Sequence, residues 1–342
     1  MATQPPGGTP PQGDPNAKYM STPIYMAVLN ELNVNTDQFQ KRQKLILDIE
    51  TALSARYGSA NRLISYMLRF GHSRTYMHTA DVPNLETVLN SVTGADQINV
   101  LLHSPGGDGT IVEKIVEMCR AHLSGLGQSR KLRVIVPNIA KSAATVFALG
   151  ADEILMGYLS ELGPIDPQVA IAVSGMTQWV SAFAFVEARD KLMAEITEAT
   201  KKKEPTVGLL QQLAGLNIPF TDEMENQIGF AKKTAITLLD KYMLKPKYPS
   251  ATKRSKTAKT IAEKLLSKQL FPVHGHYIDG TTAKGLGLEV EVLGKDDPLW
   301  RQIWDYYIRC EVQMNLPIQA GYIKTKLFES GNQVSLVTQD TP

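Results

Sequence analysis

The stretch Leu-Leu-His-Ser-Pro-Gly-Gly-Asp-Gly at residues 101–109 decides the fold, because its two glycines directly follow an apolar run, 98–102, that predicts a buried strand. A second stretch, Asn-Ile-Ala-Lys-Ser-Ala-Ala-Thr at 138–145, places a serine among small residues directly after the apolar run 132–136. Glycines leave backbone N–H groups available as an oxyanion hole, and a serine at a strand-to-helix junction can serve as a nucleophile. The two stretches together predict acyl-transfer chemistry, with hydrolysis as the leading reaction.

Helical and strand patterns alternate around the two stretches. Residues 111–123 have the apolar stripe of an amphipathic helix, 143–150 predict a short helix of small residues, and 153–156 predict a further strand. Alternation of this kind predicts an α/β fold whose sheet is mostly parallel and covered by helices. Parallel sheets bind ligands beyond the carboxyl ends of their strands, which is where both stretches lie.

The composition along the chain changes four times and predicts five parts. These are a disordered Pro/Gly-rich tail at 1–17, a core at 18–175, a helical insertion or arm at 176–268, a return to the core with a closing helix at 269–312, and a C-terminal tail at 313–342.

The overall composition limits the classes of function. The chain has 342 residues, is 43% hydrophobic and 20% charged, and carries a net charge of +2, so nothing favours nucleic acid or an anionic membrane surface as a partner. Cys119 and Cys310 lie far apart and predict reduced thiols. The N-terminus lacks a signal-peptide pattern, and no apolar window is long enough for a transmembrane helix. We therefore expect a cytoplasmic protein.

Three segments in order resemble those of the serine dehydrogenase proteinase family of the Clp/crotonase superfamily, which is related to signal peptide peptidase A. They are Ser-Pro-Gly-Gly at 104–107, Ala-Lys-Ser-Ala-Ala-Thr at 140–145 and Ser-Glu-Leu-Gly-Pro-Ile-Asp-Pro-Gln at 160–168. The similarity spans about 60–170 and returns at 271–293. It implies a Clp/crotonase-like ββα superhelix, here with a helical insertion.

The resemblance also implies roles for individual residues. Ser142 takes the nucleophile position, and the oxyanion hole consists of Gly107 with the backbone N–H of Ala143. Gly106 shapes the loop on which a peptide substrate lies extended. His103 adjoins this loop, so it packs in the strand or contacts substrate.

The general base is less well defined, and several residues are candidates. Asp166 occupies the place of the histidine in Clp-type proteases; an aspartate is too acidic to deprotonate serine well, so it either orients another base or is a turn residue. Lys141 departs from the uncharged residue of many relatives, and as a neighbour of Ser142 it is expected to face a subunit contact or the substrate. Lys191 suits a Ser–Lys dyad by spacing but lies in an amphipathic helix, where a surface position is expected.

Histidines 274 and 276 form the last option for the base. Their alternating spacing points them to opposite faces of an extended segment, so at most one reaches the site, and His274 is the candidate. No carboxylate or cysteine accompanies them at ligand spacing, so neither a metal nor another cofactor is predicted.

The sequence thus predicts an ATP-independent serine endopeptidase that acts on polypeptides through an acyl-enzyme and assembles as a homo-oligomer. Two alternatives stay open. One is a crotonase-type enzyme that acts on an acyl-thioester, with Asp166 as its carboxylate. The other is a non-catalytic scaffold that keeps the fold for assembly.

Overall fold

The computed structural model of the protein describes residues 24–34, 37–70, 75–92, 94–123, 130–316 and 322–340, and the tail predicted for 1–17 lies outside them. The helices are α1 (Ile24–Asn33), α2 (Gln38–Tyr57), α3 (Val82–Ser91), α4 (Val112–Ala121), α5 (Ala143–Leu149), α6 (Ala182–Lys202), α7 (Val207–Ala214), α8 (Ile218–Leu238), α9 (Ala251–Leu265), α10 (Gly280–Leu286) and α11 (Pro298–Asn315). The strands are β1 (Asn61–Leu68), β2 (Gln97–His103), β3 (Lys131–Val136), β4 (Ile139–Ala140), β5 (Glu153–Gly157), β6 (Glu161–Leu162), β7 (Gln168–Val173), β8 (Met176–Ser181), β9 (Val290–Leu293), β10 (Ile323–Ser330) and β11 (Val334–Asp340).

A seven-stranded sheet in the order β11-β10-β1-β2-β3-β5-β9 forms the centre of the fold. The pairs from β1 through β2, β3 and β5 to β9 are parallel, whereas β10 and β11 add two antiparallel strands at one edge. The α/β fold with a mostly parallel sheet is therefore confirmed. The strands at the centre are nearly continuous apolar runs because helices cover both of their faces.

Helices on the two faces of the sheet build two separate apolar cores. The larger core lies under α3, α4, α5, α9 and α10, and the smaller one lies under α2 and α11. Helix α2 begins where the side chain of Asp37 accepts a hydrogen bond from the Gln40 N–H at 3.0 Å. Its buried Ile46, Ile49 and Leu53 recur at helical spacing and face the sheet.

The C-terminal region differs from the tail expected at 313–342. Residues 323–340 form β10 and β11, and β10 pairs with β1 from Ile64 to Leu68. A buried ion pair fixes β10 against α2: Arg42 donates to both carboxylate oxygens of Glu329 at 2.8 to 3.1 Å, and both side chains are almost fully buried. Residues 323–340 are thus an integral part of the sheet.

The region expected to be a helical arm from residue 176 begins with a hairpin instead. Strands β7 and β8 pair over 168–181, and both turn residues, Ser174 and Gly175, have positive φ, as a two-residue hairpin turn requires. Helices α6 to α9 follow over 182–265. None of the helices in the described ranges combines the length and apolar composition that a membrane span requires.

We predict that Arg42→Met lowers the free energy of unfolding by about 3–5 kcal/mol, because it leaves the Glu329 carboxylate buried without its cation. Urea unfolding followed by circular dichroism measures this change. The control is Lys201→Met, which breaks an exposed pair with Glu198 and should cost less than about 0.5 kcal/mol. Equal effects of the two substitutions would contradict the structural role of the buried pair.

Candidate functional site

The turn at Ser142 is the most strained point of the site. Ser142 joins β4 to α5 with φ 51° and ψ −120°, a backbone conformation that residues other than glycine rarely adopt. Backbone hydrogen bonds to the neighbouring loop hold it: the Ser104 N–H donates to the Ile139 carbonyl at 2.9 Å, and the Lys141 N–H donates to the Ser104 carbonyl at 3.1 Å. The serine is therefore presented on a sharp, supported strand-to-helix turn.

Gly106 allows the glycine loop to pass directly against this turn. It has φ +110°, and a Cβ atom at this position would lie 2.8 Å from the Cβ of Ser142 and 2.9 Å from the Lys141 carbonyl oxygen. Only glycine fits such an approach without moving the serine. The predicted proximity of the two sequence stretches is thus a direct contact in the structure.

Gly107 presents its backbone N–H to the same space. Met77 pairs with Gly107 in a parallel bridge, in which the Met77 N–H donates to the Gly106 carbonyl and the Asp108 N–H donates to the Met77 carbonyl. In this pairing the peptide N–H of the intervening Gly107 points away from Met77. A Cβ on Gly107 would lie 2.3 Å from the Met77 nitrogen, so the position requires glycine.

The second N–H of the expected oxyanion hole belongs to Ala143, the first residue of α5. Backbone N–H groups in the first turn of a helix have no partner within the helix, so they are available to an external acceptor. Ala143 and Gly107 line the same groove as Ser142. Both residues of the expected oxyanion hole therefore border the groove that contains Ser142.

Asp166 and His274 meet although 108 residues separate them along the chain. The Nδ1 atom of His274 lies 2.7 Å from Oδ1 of Asp166. A carboxylate only accepts hydrogen bonds, so the Nδ1–H group is the donor. His274, like Ser142, lines the groove. The groove thus has Ser142 and His274 in its lining, and His274 is paired with the Asp166 carboxylate.

Hydrogen bonds hold the segments that carry Asp166 and His274 near the turn at Ser142. The hydroxyl of Thr145 donates to the Ala140 carbonyl and accepts from the Gly163 N–H at 3.1 Å, which fixes the start of the loop that bears Asp166. Leu162 and Ile278 exchange two backbone hydrogen bonds at 2.9 and 3.2 Å, which fixes the segment that bears His274.

Asp166 is ionised at neutral pH despite its burial. Removal from water would raise the pKa of this carboxyl group, but the hydrogen bond and charge of His274 outweigh that effect and hold the pKa below its usual value. The Gln168 amide also donates to Asp166 Oδ2, at 2.8 Å. A carboxylate of this kind stabilises a positive charge on the imidazole.

The groove has a volume of about 810 Å³ and lies beyond the carboxyl ends of the central strands. One face of helix α8 forms a wall of the groove. This face carries Gln227, Phe230, Ala231 and Thr234. Trp179 of the β7–β8 hairpin contributes an aromatic ring that is 69% exposed. Sequence reasoning missed these groove residues; an apolar face on a charged helix was the available signal for Phe230.

Lys141, a candidate for activating Ser142, is directed elsewhere. Its ammonium forms an ion pair with Glu161 at 2.9 Å and donates to the carbonyl oxygens of Leu162 and His276 at 3.2 and 3.0 Å. Lys191, the other lysine considered, is 77% exposed and pairs with Glu195 on α6.

His103 differs from the expectation that it contacts substrate. Its ring is buried against Tyr307 of α11, with centroids 5.0 Å apart, and does not belong to the groove lining. Its Nε2 lies 3.3 Å from Oε1 of Glu311. Burial lowers the pKa of His103 to about 3, so this histidine is neutral and packs in the core.

The described ranges contain no candidate metal site. No group of three or more histidine, cysteine, aspartate or glutamate side chains comes together there in a way that could hold an ion. Cys119 and Cys310 are both buried free thiols, and burial raises the pKa of Cys119 to about 12. His276 contacts the ring of Phe271.

Residues 69–208 match the family model of the ClpP-like SDH-type serine proteinases. Two uncharacterized proteins of Methanocaldococcus jannaschii are similar over shorter stretches, at 34% identity over 91 residues and 36% over 72 residues. These stretches are 26% and 21% of this chain, and they cover 30% and 23% of the two relatives. The central sheet with its covering helices, together with the family match, gives a ClpP-like fold.

Among solved structures, a variant of the 1510-N membrane-bound stomatin-specific protease is similar at 14% identity and a TM-score of 0.37. The likeness covers 66% of this chain and 79% of that one. A likeness this loose carries no argument about the site, which rests on the geometry described above.

We predict that Gly107→Ala destabilises the protein and displaces the loop, because the added methyl group would overlap the backbone of Met77 and alanine is strained at φ +146°. The free energy of unfolding should fall by at least about 1 kcal/mol. Gly109→Ala is the matched control, since its Cβ would meet only Phe230, at 3.9 Å. The idea fails if both variants unfold at the wild-type urea concentration.

We also predict that His103 makes stability depend on pH. The pKa of His103 is about 3 in the folded state and 6.5 when unperturbed, so between these values only the unfolded chain binds the proton. The neutral His103 ring makes its full contribution to the free energy of unfolding above about pH 6.5. This contribution is lost as the pH falls toward 3. The free energy of unfolding should therefore fall less between pH 7 and pH 4.5 in His103→Phe than in the wild type, by about 2 kcal/mol.

Urea unfolding at the two pH values measures this loss, and His78→Gln, at an exposed position, serves as the control. An unchanged pH dependence in His103→Phe would show that other groups cause it.

Proposed function

We propose that this chain, whose residues 69–208 match the family model of the ClpP-like SDH-type serine proteinases, is a serine peptidase with Ser142 as nucleophile, His274 as general base and Asp166 as the residue that orients the base. The observation that carries the proposal is the 2.7 Å hydrogen bond between His274 and Asp166 at the groove that also contains Ser142. The matched relatives are only partly covered by the chain, so activity and substrate are inferred from this geometry.

The reaction begins with proton transfer from the Ser142 hydroxyl to Nε2 of His274. The oxygen attacks the carbonyl carbon of the scissile peptide bond, and the negative charge moves to the carbonyl oxygen. Asp166, ionised in its buried position, stabilises the imidazolium that forms. Collapse of the tetrahedral intermediate breaks the C–N bond, and Nε2–H gives its proton to the leaving amine.

The resulting acyl-enzyme is resolved by water. His274 takes a proton from the water molecule, whose oxygen attacks the ester carbon. The C–O bond to Ser142 then breaks, and the serine oxygen recovers the proton from His274. Both tetrahedral intermediates place their oxyanion where the N–H groups of Gly107 and Ala143 converge. No nucleotide takes part in these steps, so the reaction proceeds without ATP.

The proposed substrate is an unfolded or extended polypeptide. We propose that the side chain preceding the scissile bond packs against Phe230 and Ala231 of α8 and Val146 of α5, which line the groove. This wall favours an apolar side chain of medium size at that position. We extend the proposal to cleavage within a chain rather than at its end.

We further propose a homo-oligomer. None of the residues of α7 is buried, although the helix is largely apolar, and Val207 and Leu210 are 65% and 48% exposed. An apolar helix of this kind suits contact with another copy of the chain. A cytoplasmic location stays a prediction from the sequence.

We predict that Ser142→Ala and His274→Gln each reduce hydrolysis of an unstructured protein such as casein by at least about 10³-fold, because each removes one partner of the proton transfer. Asp166→Asn should cost about 10²- to 10⁴-fold, since it no longer holds the ring in the reactive tautomer. Lys191→Met removes an exposed lysine and should keep full activity. Retained activity in Ser142→Ala would refute the assignment.

Labelling with a fluorophosphonate separates this proposal from the two alternatives. Reaction of the probe with Ser142 in the wild type, absent in Ser142→Ala and slowed in His274→Gln, supports an activated serine. Absence of labelling together with binding of coenzyme A thioesters in calorimetry would favour the acyl-thioester enzyme instead. Absence of labelling, hydrolysis and thioester binding would favour a scaffold.

A further inference from the structure

We infer that Lys141 is a positioning residue that holds the segment bearing His274 in register with the loop bearing Asp166; the inference rests on the proposed function. Lys141 directly precedes the nucleophile, yet its side chain turns away from Ser142. The ammonium contacts the two segments that have to meet for the 2.7 Å hydrogen bond between His274 and Asp166 to form.

The contacts of the ammonium define this role. On one side it pairs with Glu161 at 2.9 Å and donates to the Leu162 carbonyl at 3.2 Å, both in β6, which leads into the loop with Asp166. On the other side it donates to the carbonyl oxygens of His276 at 3.0 Å and Gly275 at 3.5 Å. Those two residues immediately follow His274. The Lys141 ammonium therefore links the segment that bears His274 to the segment that leads to Asp166.

The stem of the lysine is equally constrained. A Cβ on Gly163 would lie 2.5 Å from Cδ of Lys141 and 3.4 Å from its Cβ, so the side chain crosses directly over this glycine. Gly163 is fixed in turn by Thr145, whose hydroxyl accepts from its N–H. The lysine is only 12% exposed, and its charge is compensated by Glu161 and by carbonyl dipoles.

Apart from the contacts with Lys141, few backbone hydrogen bonds hold the segment that bears His274. Around it, the described backbone contacts are the bond from the Phe271 N–H to the Ser267 carbonyl at 2.8 Å, the turn bond from the His276 N–H to the Val273 carbonyl at 3.0 Å, and the two bonds between Ile278 and Leu162. Residues 272 and 273 are exposed. Loss of the ammonium would therefore free Gly275 and His276 to move, and the ring of His274 would move with them.

The test compares Lys141→Met, which keeps the stem but removes the charge, with wild type and with Lys191→Met as a control for loss of an exposed lysine. We expect kcat on a peptide substrate to fall by about 10²-fold in Lys141→Met with KM within twofold, because misplacement of a base affects the chemical step. Lys191→Met should match the wild type. Unchanged kcat in Lys141→Met would overturn the inference, as would a rise in KM that accounts for the loss.

A double-mutant cycle with Gly163 separates positioning from a general loss of stability. Gly163→Ala pushes the Lys141 stem aside without touching His274 or Asp166, and we expect it to lower kcat by about tenfold. In a Lys141→Ala background the stem is absent, so the same substitution should change kcat by less than twofold. Equal losses in both backgrounds would show that Gly163 acts independently of the lysine and would overturn the inference.

A readout independent of activity keeps the two proposals distinguishable. The Nδ1–H proton of His274, hydrogen-bonded to Asp166, should give a downfield NMR signal that His274→Gln removes. We expect Lys141→Met to broaden or shift this signal while Lys191→Met leaves it in place. If the signal responds but fluorophosphonate fails to label Ser142 in the wild type, the positioning role holds and the peptidase proposal fails; an unaffected signal overturns the positioning role itself.

Discussion

The contact between Gly106 and Ser142 is the constraint on which the rest of the site depends. The glycine has no side chain to occupy the space, and a Cβ would reach within 2.8 Å of the serine's own Cβ. Only this closeness lets the loop after β2 and the turn after β4 share backbone hydrogen bonds through Ser104. The strained φ of Ser142 is sustained by those bonds, and Gly107, the next residue of the loop, lines the same groove as the serine.

The groove combines two kinds of structural element. Its reactive side comes from the loops that follow the parallel strands, where residues 104–110 and 141–143 lie next to each other. The facing wall comes from α8, beyond the matched residues 69–208. His274 also comes from outside that segment, and it is held by backbone pairing to β6 and by the Lys141 ammonium. The groove is thus built by segments that lie far apart in the sequence.

Sequence patterns predicted the elements whose signal is local. The helix at 111–123 appears as α4 with a preceding single turn at Gly109–Ile111, and the strands after which Gly106 and Ser142 follow are present as expected. Strands β10 and β11 were missed because their polar alternation resembles that of an exposed tail, and only pairing with β1 makes them strands. The hairpin at 168–181 had a signal in its Ser-Gly turn.

The residues of the site were predictable only in part, for the same reason. Ser142 and Gly107 sit in short motifs, whereas the partnership of Asp166 with His274 depends on a contact across 108 residues that no local spacing encodes. For His103 the sequence left strand packing and substrate contact open, because β2 is buried on both faces and alternation does not tell which face is which; the structure has its ring packed against Tyr307. The separation of Asp166 and His274 has a consequence for synthesis of the chain if the proposed function holds. Ser142 and Asp166 are then made before His274, so we expect the growing chain to be inactive until the residues after helices α6 to α9 have been added.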